Sequence, residues 1–273
     1  MASIQRAPAA ALRPFVETLW VSREDRGSAT GTEQREHVLP SGSVHVVFRL
    51  SGPPLRVFDG PGDCSGRTVG TAVVGGARSA YYVRDVSEPV CSVGAILRPG
   101  AASLLFGMPA DAFAQTHTPL DALWGRDAHE AHERLALARS ADQRLALLES
   151  LFAARLPRVR GIHPAIAEAL ACFDRGADVG SLVARSGVSH RRFIELFRSS
   201  VGLAPKRYVR VARFRGAIAR IAARPASWAD LALAAGYSDQ SHFNREFREF
   251  AGVTPGHYRD LAPLSAHHVP LRD

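Results

Sequence analysis

The sequence contains no apolar run approaching the roughly 20 residues that a bilayer span requires. Its opening stretch, MASIQRAPAAALRPFVETLW, is broken by Arg13 and Pro14 before any signal-peptide core can form. Cysteine is scarce: Cys64, Cys91 and Cys172 are scattered, and no two have metal-ligand spacing. That excludes a disulfide framework and a zinc ribbon, and a reduced, cytoplasmic setting is expected. No glycine-rich phosphate loop follows a strand, and GGARS (75–79) reads as a hairpin turn. There is no serine-centred nucleophile elbow and no recognisable Cys–His pair. In HEAHE, His129 and His132 are three apart where a zincin needs four, so with Glu130 and Glu133 they read as a solvated helix face. The strands offer only His37 and His45 to a metal. His267 and His268 fall in a polar tail, 263–273, expected to be disordered. These absences point away from an enzyme and from any cofactor.

What is present is an ordinary globular composition: 273 residues, 46% hydrophobic and 22% charged, enough for one large or two ordinary domains. The net charge of +8 is unevenly placed. Residues 1–157 hold 16 arginines against 16 acidic residues, whereas residues 158–262 hold 17 basic residues against 9 acidic ones. An excess confined to one half points to a polyanionic partner for that half.

The first hundred residues read as strands and turns. Val44, Val46, Phe48 and Leu50 alternate with His45, Val47 and Arg49, the period of a half-buried strand. β-rich runs recur at 55–58, 71–76, 80–86 and 90–97, which predicts an antiparallel barrel or sandwich. Beyond Pro99 the chain turns helical, with Leu135, Leu145, Leu148, Leu151 and Phe152 at helical spacing. PRVRGIHP (157–164) reads as a domain boundary. The expected organisation is an α+β chain: a β-rich domain with trailing helices over 1–157, an all-α domain over 158–262 and the tail.

The second half is internally repeated. Leu182, Gly187 and Ser189 fall on Leu231, Gly236 and Ser238 at an offset of 49, and Phe193, Phe197, Gly202, Pro205 and Tyr208 fall on Phe243, Phe247, Gly252, Pro255 and Tyr258 at an offset of 50. Each copy reads as a short helix ended by glycine, a tight turn, and a second helix capped by Ser189 or by Ser238/Asp239. That is a helix-turn-helix unit. The paired phenylalanines form a core stripe, and the opposite face carries side chains suited to base edges. These are His190, Arg191, Ile194 and Glu195 in the first copy, and Gln240, Ser241, His242 and Arg245 in the second. Arg198 and Asn244 share those faces. Between the copies, 206–223 reads as a helical rod of roughly 27 Å at 1.5 Å per residue. Lys206, Arg207, Arg210, Arg213 and Arg215 cluster at its start. Lys206, Arg207 and Arg210, with Ser189 and Ser238, are the expected phosphate contacts, while Arg213 reads equally as a structural tie to a helix-turn-helix unit.

The patterns SGVSHRRFIELF…VGLAPKRY…RF (186–214) and LALAAGYSDQSHFNREFREFAGVTPGHYR (231–259) resemble the double helix-turn-helix domain of the AraC/XylS family, the second more closely. PFVETLW, HVLPSGSVHVVFRLSG and VGAILRPGAASLLFG resemble, more weakly, the β-rich, cupin-like regulatory domain of unassigned ligand that precedes such domains. The resemblance implies a bacterial transcription regulator: sequence-specific double-stranded DNA as partner, a small-molecule effector or a homodimer contact in the N-terminal half, and a nucleoid-bound cytoplasmic location. Two other readings follow from the residues alone: a metal-dependent sensor or enzyme built on His37 and His45, and a non-specific DNA-architectural protein.

Overall fold

The computed structural model describes residues 2–24, 34–156, 161–173, 175–222, 227–263 and 265–271. Part of the expected boundary, 157–160, and the end of the rod at 223 lie outside the described residues.

The N-terminal half is built on two antiparallel sheets, neither closed on itself, so it is an open sandwich rather than a barrel. The first sheet has the spatial order β1 (Ala2–Arg6), β2 (Val16–Glu24), β9 (Val90–Leu97), β4 (Val44–Ser51), β7 (Ala72–Gly75) and β10 (His117–Pro119). The second runs β11 (His268–Pro270), β3 (Arg35–Val38), β8 (Tyr82–Asp85), β5 (Leu55–Phe58) and β6 (Arg67–Gly70). The alternation in β4 decides how the layers stack. Val44, Val46 and Phe48 enter a core shared with the helices α1 (Ala101–Phe106), α3 (Arg126–Leu137) and α4 (Ala141–Ala153). The intervening His45, Val47 and Arg49 line a cavity instead of bulk solvent. Strands β2, β7 and β9 repeat the division: Leu19, Val74 and Val93 enter the helix-backed core, and Trp20, Val73 and Ser92 line the cavity.

GGARS is not a hairpin. β7 is bounded by β4 and β10, and the chain leaves Gly75 for β8 in the opposite sheet. The backbone at Gly76 passes so close to Phe113 that an added Cβ would stand 1.8 Å from its carbonyl oxygen, which admits only glycine.

The C-terminal half is all-α: α5 (Pro164–Phe173), α6 (Val179–Arg185), α7 (His190–Val201), α8 (Pro205–Ala222), α9 (Trp228–Ala234), α10 (Gln240–Ala251) and α11 (Pro255–Leu261). Phe193 and Phe197 belong to a core continuous with that of the N-terminal helices. Phe214, Phe243, Phe247, Phe250 and Tyr258 form a separate core for the second unit. The first helix-turn-helix unit is thus fused to the sandwich, whereas the second has its own interior.

The tail departs most from expectation. β11 pairs antiparallel with β3, with Leu39 N donating to His267 O at 2.8 Å and Leu271 N to Arg35 O at 2.9 Å. Val269 is fully buried against the second unit's core, and Tyr258 Oη donates to Ala266 O at 2.8 Å. The described tail residues, 265–271, are held because they satisfy an otherwise open sheet edge and supply one apolar plug.

Candidate nucleic-acid interface

Both helix-turn-helix units form as the repeat requires. Ser189 caps α7, its hydroxyl accepting from Arg192 N at 3.3 Å. In the second unit the capping oxygen belongs to Asp239, which accepts from His242 N at 2.8 Å. The residue inserted in the second copy therefore sits in its turn, and the two reading helices start in register at an offset of 50, at His190 and Gln240.

The expected base readers divide into groups. His190, Arg191, Glu195, Gln240, Ser241 and Arg245 are exposed, as are Arg198 and Asn244. Arg191 Nε lies 3.0 Å from Glu195 Oε1, an exposed surface pair of small net strength. Ile194 is half-buried. His242 is turned back toward the turn: its Nδ1 is 3.0 Å from Ser238 Oγ, and its ring meets Tyr237 edge-on at 5.3 Å. Ser238 in turn donates to Asp239 Oδ2 at 2.9 Å. Both side chains thus shape the turn.

The basic cluster of α8 also separates. Lys206 and Arg207 are exposed. Arg210, expected on a phosphate, instead binds Glu246 at 2.7 Å and Glu249 at 2.5 Å, with its guanidinium over the Phe250 ring at 5.0 Å. The reason is that α10, packed against α8, presents a buried carboxylate, Glu246, and a buried carboxylate demands a cation. Arg213 lies over Tyr237 at 5.2 Å, the structural tie between the rod and the second unit. Arg215 points away from both and into the sandwich cavity.

That cavity, of about 310 Å³, was not legible in one dimension. His45, Gly75 and His117 stand in a row across β4, β7 and β10. Burial, then the neighbouring His267, His268 and Arg215, pushes His45 down to about 4. Burial, then Arg78, pushes His117 down to about 3. His267 is likewise lowered to about 4 by burial and Arg215. At the second sheet, Glu36 meets Arg84 Nε at 2.6 Å and His268 Nδ1 at 2.5 Å. Burial alone would raise the Glu36 carboxyl, but Arg84 and His268 outweigh it and hold it at about 2.

His37 and His45 do not converge. The His37 ring stacks on Tyr81 at 4.2 Å and its Nδ1 donates to Ala251 O at 2.9 Å. On α3, His129, Glu130 and Glu133 are exposed, while His132 Nε2 donates to Arg49 O at 2.7 Å. Among the described residues no group of three or more His, Cys, Asp or Glu side chains is arranged to hold a metal ion. Among the same residues no helix is long and apolar enough to cross a membrane.

Two separate parts of the chain match known families. Residues 182–260 match the model of a helix-turn-helix domain, and residues 4–119 match a domain of unknown function (DUF6597). The HTH-type transcriptional regulator MtrA of Neisseria gonorrhoeae is 29% identical over 82 residues, a match covering 30% of this chain and 27% of that protein's length. ToxT from Vibrio cholerae superposes over 89% of this chain and 97% of its own with a TM-score of 0.46 at 11% identity. The xylose-binding transcription activator XylR superposes over 45% of this chain and 40% of its own, with a TM-score of 0.32 at 18% identity. Both capped helices, α7 and α10, lie within the residues matched by the helix-turn-helix domain model.

Proposed function

We propose that the chain is a sequence-specific DNA-binding transcriptional regulator whose two reading helices enter adjacent major grooves, and that its sandwich domain controls it through a small-molecule effector or dimerisation. One observation carries this reading: two capped helices, α7 and α10, related by an internal repeat, each expose a polar face in the half of the chain that holds the whole +8 charge. A helix N-terminus bearing Arg, Gln and Glu is suited to base edges. Lys206 and Arg207, exposed on the rod between the units, are suited to phosphates, which position without specifying. His190, Arg191, Ile194 and Glu195, with Gln240, Ser241 and Arg245, are the proposed readers.

The test is selection of duplexes from a random-sequence library by the purified full chain. The expected result is an enriched site with two half-sites about 10 base pairs apart, bound with a steep salt dependence. Uniform recovery of all sequences would make the protein an architectural binder, and a single compact half-site would remove one unit from the reading.

A further inference from the structure

The cavity of the sandwich carries more charge than its own structure uses. Arg49, Arg78, Arg84 and Arg215 line it, against one lining carboxylate, Glu17. Arg84 is matched by Glu36 and Arg49 Nε donates to Pro53 O at 2.8 Å. Arg78 and Arg215 have no carboxylate partner among the described residues. Arg78 Nε is buried without any hydrogen-bond partner. Its guanidinium rests over Tyr82 at 4.6 Å, and Nη2 approaches His117 Nδ1 at 3.4 Å. An unmatched guanidinium inside a protein wall is costly, and a bidentate anion is the partner its geometry suits. Because Arg78 only donates, the neutral His117 accepts at Nδ1 and carries its proton on Nε2. That nitrogen borders the space above Gly75, where a Cβ would touch it at 3.5 Å. Trp20, Val47, Val73 and Ile96 give the wall an apolar stretch, beside several serines and the rings of His45, His267 and His268.

We infer that this cavity is a binding site for a small organic carboxylate, its charged end received by Arg78 of the sandwich and Arg215 of α8 and its apolar body against Trp20, Val47, Val73 and Ile96. This rests on the proposed reading of the chain as an effector-controlled DNA-binding protein. The volume is at the lower end of small-molecule sites, and the apolar stretch of Trp20, Val47, Val73 and Ile96 favours a carboxylate with a hydrocarbon body over inorganic phosphate. The site is also connected to the reading helices. Ala77, next to Arg78, packs against Gly202 at the end of α7, at 3.2 Å from the Cβ position there. Arg215 lies on the rod that joins the two units. A carboxylate engaging both arginines fixes the rod against the sandwich and so sets the relation of the two reading helices.

The test uses the full chain and three carboxylates (octanoate, benzoate and 3-phenylpropionate), each with its primary amide, and inorganic phosphate as a separate arm. Binding is read by calorimetry and thermal shift, and operator affinity is measured with and without the best carboxylate. At least one carboxylate is expected to bind, its amide at least tenfold more weakly, and phosphate no better than the amide. Arg78→Met and Arg215→Met should each lose at least tenfold in affinity while melting no lower than the parent without ligand. Gly75→Val, which fills the space beside His117, should abolish binding if either arginine variant misfolds. The carboxylate should change operator affinity at least fivefold, and not in Arg215→Met. Equal binding of acid and amide, binding of phosphate alone, or no binding by any of the three acids overturns the proposal. If an operator is still selected, the DNA-binding reading survives that failure. If no operator exists but carboxylate binds through both arginines, the site stands and the reading falls.

Discussion

Gly252, which ends the second reading helix, lies directly on the ring of His37 in the sandwich: a Cβ at this position would stand 2.6 Å from His37 Cε1. Gly202, its equivalent at the end of the first reading helix, meets Ala77 and Ala110 in the same way, each at 3.2 Å. Both glycines have left-handed backbones, with φ of +73° and +93°, so each serves twice. It terminates the helix, and it lets the N-terminal half approach the helix end without a side chain between them. The repeat is therefore held at corresponding points by one domain, and the sandwich is placed to govern how the two helices stand relative to each other.

Replacing Gly252 by alanine should lower stability by about 2 kcal/mol, of which roughly 1 reflects the left-handed backbone. The remainder comes from the clash with His37 and, behind it, Tyr81. The clash is isolated by a double-mutant cycle in urea denaturation. His37→Ala alone removes the bond to Ala251, but in combination it relieves the two closest contacts of the new methyl group and leaves only Tyr81 Cζ at 2.9 Å, so the double variant should be less destabilised than the sum by about 1 kcal/mol. Strict additivity would mean that His37 and Gly252 do not press on each other in solution.

Much of this architecture is readable in the sequence, and the parts that are not share a cause. The helix-turn-helix units follow from local signals: the caps at Ser189 and Asp239, the terminal glycines and the Phe stripes all act within a dozen residues. The alternation in β4 correctly identified a strand, but period two says only that two faces differ. It cannot say that the polar face of His45 and Arg49 looks into a cavity. The tail is a similar case: its order comes from β3 and Glu36, 232 residues away from His268. Arg210 and Arg215 look alike in a basic cluster, and only the carboxylate on α10 and the cavity beyond α8 separate them.

Arg210→Met should cost about 3 kcal/mol in denaturation, because it strands the Glu246 carboxylate, only 4% exposed, without its cation. Arg210→Met combined with Glu246→Leu should restore most of that loss, since an apolar pair of similar volume serves as well in such a place. For DNA binding, the salt slope should be unchanged in Arg210→Met yet reduced by about 0.9 in Arg207→Ala. A reduced slope in Arg210→Met would return Arg210 to the phosphate contacts.

The buried histidines set a pH dependence. His45 at about 4, His267 at about 4 and His117 at about 3 all titrate below the ordinary 6.5. Between those limits the unfolded chain takes up protons that the folded chain refuses, so stability falls as pH falls from 6.5 toward 4. Glu36, held at about 2 against an ordinary 4.5, extends the loss in the same direction below pH 4.5. Between pH 7.5 and 5.5 each histidine should contribute about 1 kcal/mol. Denaturation of the parent, His45→Gln and His117→Gln at the two pH values checks this. A parent whose stability is the same at both would show that these rings are solvated.

The reading faces make the last prediction, because their side chains are placed differently although the sequence treats them alike. Gln240 and Arg245 are exposed at the start and middle of α10. Their replacement by alanine should cost about 1–3 kcal/mol on the selected site and little on random DNA, relaxing preference at one position each. Lys206→Ala and Arg207→Ala should weaken selected and random duplexes alike. His242→Ala should follow neither pattern. Its ring is engaged with Ser238 and Tyr237, so its loss should loosen the turn, lowering the melting temperature and weakening binding without changing which sequence is preferred. Competition binding against single-base variants of the selected site, run beside thermal melts, separates the three behaviours. A change of base preference in His242→Ala would show that the ring swings out of the turn on binding DNA.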